Sequence, residues 1–172
     1  MNEPADRTGE RDVSTRSGIG YDSHRFQAGR RLVLGGVELE HDRGLAGHSD
    51  ADVLTHAVID ALLGAGALGD IGRHFPDTDE RYRDADSLEL LRAAVAMLAE
   101  RGLAVVNVDA TVIIERPKLA PLRERMRVSL ARALGVDVDR VNVKATRGEG
   151  MGFVGREEGA AALAVATLEE RV

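Results

Sequence analysis

The stretch Gly18-Ile19-Gly20-Tyr21-Asp22-Ser23-His24-Arg25-Phe26 constrains the fold of this 172-residue chain more than any other. It reads as a strand. Successive strand side chains point to opposite faces, so Asp22 and His24 project from one face, about 6–7 Å apart at Cα. A carboxylate and an imidazole at that spacing close on one small cation, but a catalytic zinc needs a third ligand. The strongest candidate is His56, on the predicted helix Asp50-Ala51-Asp52-Val53-Leu54-Thr55-His56-Ala57-Val58-Ile59-Asp60. Asp52 and Asp60, four residues either side of His56 on one helix face, are the expected partners of its other ring nitrogen. The residues alone leave a second reading open. Asp-x-His pairs arise by chance, and a lone helical His also serves as a hydrogen-bonded core residue.

Composition decides what else such a site has available. The chain has no cysteine, so any metal is held by nitrogen and oxygen, and there is no disulfide framework or thiolate nucleophile. A hydrophobic fraction of 44% with 30% charged residues is that of one globular domain. The net charge of -6 offers no basic field for nucleic acid or an anionic membrane. No apolar run approaches the roughly 20 residues of a membrane span, and the N-terminus lacks a signal-peptide core, so a cytoplasmic protein is expected. The five aromatics leave the core to Ala, Val, Leu and Ile. Lys118 and Lys144 are the only lysines, which marks them as places where a compact ammonium is wanted.

Residues 1–16 are polar and aperiodic and read as a disordered arm, with residues 17–172 as a single domain. Strands are expected at 17–26 and around Gly35-Gly36, where the glycines favour a bulge or hairpin. Residues 41–49 read as a loop, and Ser49 or Asp50 as the cap of a helix running to about Leu63. Ser87 reads as the cap of a second helix, residues 105–115 as a buried strand, 119–134 as a third helix and 141–146 as a strand. Residues 159–170 are ambiguous, because their alanines favour helix. The alternation lacks Rossmann or P-loop glycine spacing. It predicts an α+β fold, a two-layer sandwich of a mixed β-sheet packed against helices on one face.

Four loops carry further chemistry. Gly47-His48-Ser49-Asp50 offers N–H groups, an imidazole and a hydroxyl to an anion, although Ser and Asp serve equally as caps there. Gly69-Asp70-Ile71-Gly72-Arg73-His74-Phe75-Pro76-Asp77-Thr78-Asp79 is dense in carboxylates. Arg116-Pro117-Lys118-Leu119 sets cations at a strand-to-helix turn. Lys144-Ala145-Thr146-Arg147-Gly148-Glu149 leads into the glycine-rich Gly150-Met151-Gly152-Phe153-Val154-Gly155-Arg156, where a loop can cradle a diphosphate while Glu149 holds a second cation.

Taken in order, these motifs resemble the 2-C-methyl-D-erythritol 2,4-cyclodiphosphate synthase family, the cyclases of the non-mevalonate isoprenoid pathway. The resemblance runs from about Ser17 to the C-terminus. It implies a homotrimer with active sites between subunits and a strand at 159–170. It also implies one Zn2+ per subunit on Asp22, His24 and His56, and Mg2+ or Mn2+ on Glu149 with the substrate diphosphate. The implied reaction converts 4-diphosphocytidyl-2-C-methyl-D-erythritol 2-phosphate to the cyclic diphosphate with release of CMP.

By match to the family, His48, Thr146 and Arg147 are catalytic. The first part of the implied substrate-binding set is Asp22, Ser23, His24, His48, Ser49, Asp70, Ile71, Gly72, Phe75, Pro76, Asp77, Thr78 and Asp79. The cytidine-binding segment is Ile114, Glu115, Arg116, Pro117, Lys118, Leu119 and Ala120. Lys144, Ala145, Thr146, Arg147, Gly148, Glu149, Phe153 and Arg156 complete it. Arg147 departs from the hydroxyl residue the family commonly has there. Its guanidinium either faces the developing phosphate charge or points to solvent. Two other readings use the same residues: a zinc-dependent phosphohydrolase, with water as nucleophile, and a non-catalytic trimer that binds prenyl diphosphates.

Overall fold

The computed structural model describes residues 14–171. The expected arm lies outside the described residues as far as residue 13, and Thr15 and Arg16 already belong to the first strand. They are held there by pairing with Glu169 and Leu168, which satisfies their backbone groups.

In chain order the strands are β1 (Thr15–Ala28), β2 (Leu32–Leu34), β3 (Val37–Leu39), β4 (Arg43–Leu45), β5 (Leu103–Ile113), β6 (Val141–Thr146) and β7 (Gly159–Glu170). The helices are α1 (Val53–Ala65), α2 (Ile71–His74), α3 (Ser87–Glu100), α4 (Arg123–Leu134) and α5 (Gly152–Gly155). Five strands form one sheet in the order β4-β1-β7-β5-β6, and β2 and β3 form a separate hairpin. All pairings in the large sheet are antiparallel except β5 with β6. The sheet is therefore mixed, and α1, α3 and α4 pack on it, which gives the expected α+β architecture. No described helix is long and apolar enough to cross a membrane.

Small residues set how closely the layers approach. A Cβ at Gly18 would fall on the Ala61 carbonyl oxygen, and one at Gly20 on that of Ala57. Backbone of β1 thus lies directly against backbone of α1. Ala160, Ala162, Ala164 and Ala166 of β7 are buried on the same layer. Here tertiary packing overrides alanine's helix propensity, because residues 159–170 form a central strand that needs small side chains under α1. Nearly every residue of α1 is buried, as expected of a helix without a polar face.

The structure moves four other boundaries. Arg43–Leu45 is a strand within the expected loop 41–49, an edge added to β1. Asp52, not Ser49 or Asp50, caps α1, and Asp86, not Ser87, caps α3. The reason at Asp52 is an additional task. Its buried carboxylate accepts the Gly35 and Gly36 N–H groups (2.9 and 2.7 Å) as well as the Thr55 N–H (3.0 Å) and hydroxyl (2.7 Å). Gly35 and Gly36 both have positive φ, so the β2–β3 turn presents two consecutive amides to one carboxylate. The third helix begins at Arg123, after a turn that contains Pro121.

Candidate metal centre and the adjoining cavities

Asp22 and His24 leave the helix-facing side of β1, while His56 comes down from α1. Their ligating atoms meet. Asp22 Oδ2 is 2.9 Å from His24 Nε2 and 3.0 Å from His56 Nδ1, and the two nitrogens are 3.2 Å apart. A tetrahedral ion with bonds near 2.0–2.1 Å separates its donors by roughly 3.3 Å, so one oxygen and two imidazole nitrogens this close fit a single small cation. Among the described residues this is the one cluster of His, Cys, Asp and Glu that converges in this way.

Electrostatics follow from the same contacts. Burial works against ionisation of Asp22, but hydrogen bonds and charge from the two imidazoles outweigh it and hold the carboxyl well below its ordinary range. Burial also works against a charged His24, yet the Asp22 carboxylate beside it raises its pKa above the ordinary imidazole value.

The expected partners of the far His56 nitrogen are corrected. Asp52 is committed to the β2–β3 turn, and Asp60 accepts the Ile71 N–H at 2.8 Å. His56 Nε2 instead meets Ser87 Oγ at 2.9 Å and Ser49 Oγ at 3.1 Å. Helical neighbours at i±4 run along the helix surface, whereas this imidazole points across to the loop ahead of α1 and the first residue of α3. Sequence reasoning missed Ser87 in this role because its hydroxyl had been given to a helix cap.

A cavity of about 390 Å³ opens on the triad. Its walls include Asp22, His24, His48, Ser49, His56, Ile71, Gly72, Phe75, Pro76 and Asp77, with Gly47, Tyr82 and Leu90 beside them. Phe75 packs edge-on against Tyr82, with centroids 5.4 Å apart. His48 is anchored by its ring Nε2–H, donated to the Asp79 carbonyl at 3.0 Å. Asp70 caps α2 through the Arg73 N–H, and the Asp79 side chain pairs with Arg81, so neither carboxylate lines the cavity. Thr78 is exposed and also outside it.

A second cavity, about 240 Å³, is lined by Ile114, Glu115, Pro117, Lys118, Leu119, Ala120, Ala145, Thr146 and Arg147, along with Arg123. The Glu115 carboxylate accepts the Gly148 N–H at 2.9 Å and so ties the glycine-rich loop to this wall. The remaining expected residues lie apart from both cavities. Arg116 is paired with Glu157 at 2.7 Å, Lys144 with Asp109 at 2.5 Å, Glu149 with Arg147 at 3.1 Å and Arg156 with Glu158 at 2.7 Å. Ser23 and Phe153 share a shallow recess with Arg25 and Glu158.

Residues 15–169 match the YgbB family model. The 2-C-methyl-D-erythritol 2,4-cyclodiphosphate synthase of Salinibacter ruber is 62% identical over 154 residues, covering 90% of this chain and 98% of that protein. Among solved structures, the bifunctional IspDF of Campylobacter jejuni superposes with a TM-score of 0.89 at 42% identity, covering 92% of this chain. This chain spans 43% of that longer protein. IspF of Plasmodium falciparum in a CDP complex matches with a TM-score of 0.81 at 28% identity over 92% of this chain and 97% of its own.

Proposed function

The chain belongs to the YgbB family of 2-C-methyl-D-erythritol 2,4-cyclodiphosphate synthases, an enzyme family of isoprenoid biosynthesis, and from that premise we propose how its residues divide the reaction. The substrate is 4-diphosphocytidyl-2-C-methyl-D-erythritol 2-phosphate. An oxygen of its 2-phosphate bonds to the β-phosphorus, the bond from that phosphorus to the bridging oxygen breaks, and CMP leaves with the electron pair. The enzyme is thus a phosphorus–oxygen lyase. The observation that carries this reading is the convergence of Asp22, His24 and His56 on the wall of a cavity that His48 and Ser49 also line.

Such a reaction asks little covalent chemistry of the protein. It asks that two anionic groups be brought together in line. Asp22, His24 and His56 would hold zinc and Glu149 magnesium or manganese, and such cations would supply positive charge to offset that of the phosphoryl oxygens and the departing CMP. His48, oriented by Asp79, and the Ser49 hydroxyl meet the phosphates from the cavity floor, with Ile71 and Gly72 beside them. Phe75, Pro76 and Asp77 enclose the methylerythritol, with Asp70, Thr78 and Asp79 supporting that loop. The cavity around Pro117 and Lys118 takes cytidine, a reading supported by the CDP complex of the Plasmodium falciparum relative. Thr146 and Arg147 flank it on the phosphate side. For Arg147 to reach the transition-state charge, its contact with Glu149 must open, and substrate phosphate is the stronger competitor.

The active protein is read as a homotrimer. Support comes from the sheet face turned away from the helices, where Ile19, Tyr21, Leu163 and Val165 are exposed side by side. A contiguous apolar surface of this kind is what subunits cover. Assembly is also what would bring the two cavities of neighbouring chains into one site.

Phosphorus NMR tests the proposal. The protein is incubated with the cytidyl 2-phosphate substrate and magnesium, before and after chelation. CMP together with paired cyclic diphosphate resonances, lost on chelation and restored by zinc, is the expected result. Open-chain phosphates would point to hydrolysis and refute the cyclase reading.

A further inference from the structure

The side of His56 away from Asp22 and His24 carries an arrangement with a definite direction. Its Nε2 lies against two hydroxyls, Ser87 Oγ at 2.9 Å and Ser49 Oγ at 3.1 Å, and all three residues are buried. A serine hydroxyl has one proton and two lone pairs, so the partner that takes the proton decides what the oxygen offers elsewhere. For Ser87 that partner is known. Its hydroxyl makes a short hydrogen bond to Asp50 Oδ1, and the other Asp50 oxygen accepts the Ser87 backbone N–H at 3.1 Å. A carboxylate only accepts, so the Ser87 proton is committed to Asp50 and a lone pair is left facing the imidazole. When Nδ1, on the Asp22 side, serves a cation, the nitrogen facing that lone pair carries the ring proton.

We infer that Asp50 and Ser87 are positioning residues that hold His56 as the Nε2–H tautomer and leave the Nδ1 lone pair for the metal. The inference rests on the reading of Asp22, His24 and His56 as a metal site and adds a mechanism for orienting one of its ligands. Without the relay the imidazole divides between two tautomers, one of which turns an N–H toward the cation. The same geometry serves Ser49. Its Oγ accepts the Ala51 N–H at 3.2 Å and is not needed as a donor to His56, so its proton is left for the cavity it lines. Asp50 can reach Ser87 because the chain turns sharply at Ala51, whose φ is 58°. Asp50 Oδ1 then closes the turn by accepting the Asp52 N–H at 3.2 Å. The relay thus joins the start of α1 to the start of α3, and the metal site depends on a residue 31 positions along the chain from its ligand.

The test compares the full-length wild type with Ser87→Ala, both stripped of metal and titrated with cobalt, zinc and cadmium-113, with thermal melts run alongside. In 15N-labelled wild type loaded with cadmium-113, His56 should couple to the metal through Nδ1 and show a protonated Nε2. Ser87→Ala should bind metal roughly 10–100-fold more weakly and shift its Nε2–H resonance upfield. Unchanged affinity in a Ser87→Ala protein with a wild-type melt would overturn the inference and leave the metal reading standing. Coupling through Nε2 in wild type would also overturn it, whether or not the variant folds. A wild type that takes up no metal would overturn the metal reading itself, and the inference with it.

Discussion

The metal corner and the charged rim around the glycine-rich loop are built on opposite principles. In the corner the polar atoms of Asp22, His24 and His56 have internal partners, the side chains are buried or half-buried, and two elements are locked at backbone contact by Gly18 and Gly20. Around the rim, Arg116, Arg147 and Arg156 are mostly exposed and paired with Glu157, Glu149 and Glu158. Exposed ion pairs contribute about 0–1 kcal/mol each, so they are exchanged at little cost when a polyanion arrives. The contrast separates two jobs. Under the proposed function, ligands to a cation are preorganised, whereas groups that would meet a departing nucleotide stay free to change partners.

Removing a metal ligand gives the largest expected effect. His56→Ala should lose the metal and lower turnover by more than about 10³-fold, since metal stabilisation of phosphoryl charge is worth several kcal/mol. Stoichiometric metal retained in that variant, measured by elemental analysis, would break the corner's side of the comparison. On the rim, Arg147→Ala should lower kcat by roughly 100-fold with a melting temperature near wild type, the usual size of losing one donor to transition-state charge. An unchanged kcat would assign that guanidinium to solvent. Gly20→Ala should destabilise the fold by about 2 kcal/mol or more in a denaturant titration, because a Cβ there meets the Ala57 carbonyl and pushes α1 from β1. Its metal affinity should fall too, since the push separates His56 from Asp22 and His24. Smallest of all, Arg116→Ala should leave the denaturant midpoint close to that of wild type despite its bidentate pair with Glu157. A clear drop in that midpoint would show that the rim is structural after all.

Much of the corner was legible because it depends on short-range periodicity. The two-residue strand period put Asp22 and His24 on one face, and the match of residues 141–146 to β6 needed only a β-branched alternation flanked by polar turns. Gly35-Gly36 left a bulge or a hairpin open, and the structure makes it a hairpin, with both residues at positive φ. Helix caps were less legible. Asp50, Asp52, Asp86 and Ser87 are all good capping residues, and which one caps depends on what the others bind across the fold. The edge strand β4 was missed because three residues carry no periodic signal. Lys144, singled out as a phosphate contact, has its ammonium on Asp109 of the neighbouring strand, and a pairing between β5 and β6 is invisible without the register.

By itself, then, the sequence determined the donor chemistry of the site and the elements that carry it. With no cysteine the ligands had to be nitrogen and oxygen, and the strand period put two of them, Asp22 and His24, on one face. Only the tertiary structure decided the orientation of those ligands and the conformation of β7. The His56 ring is turned by two hydroxyls, one from Ser49 in the loop ahead of α1 and one from Ser87 at the start of α3, and the alanines of residues 159–170 become a strand because α1 presses on them. The physical reason is the same in both cases. Local propensities and hydrogen-bonding alternatives differ by about 1 kcal/mol or less, and close packing between segments far apart in the chain outweighs them.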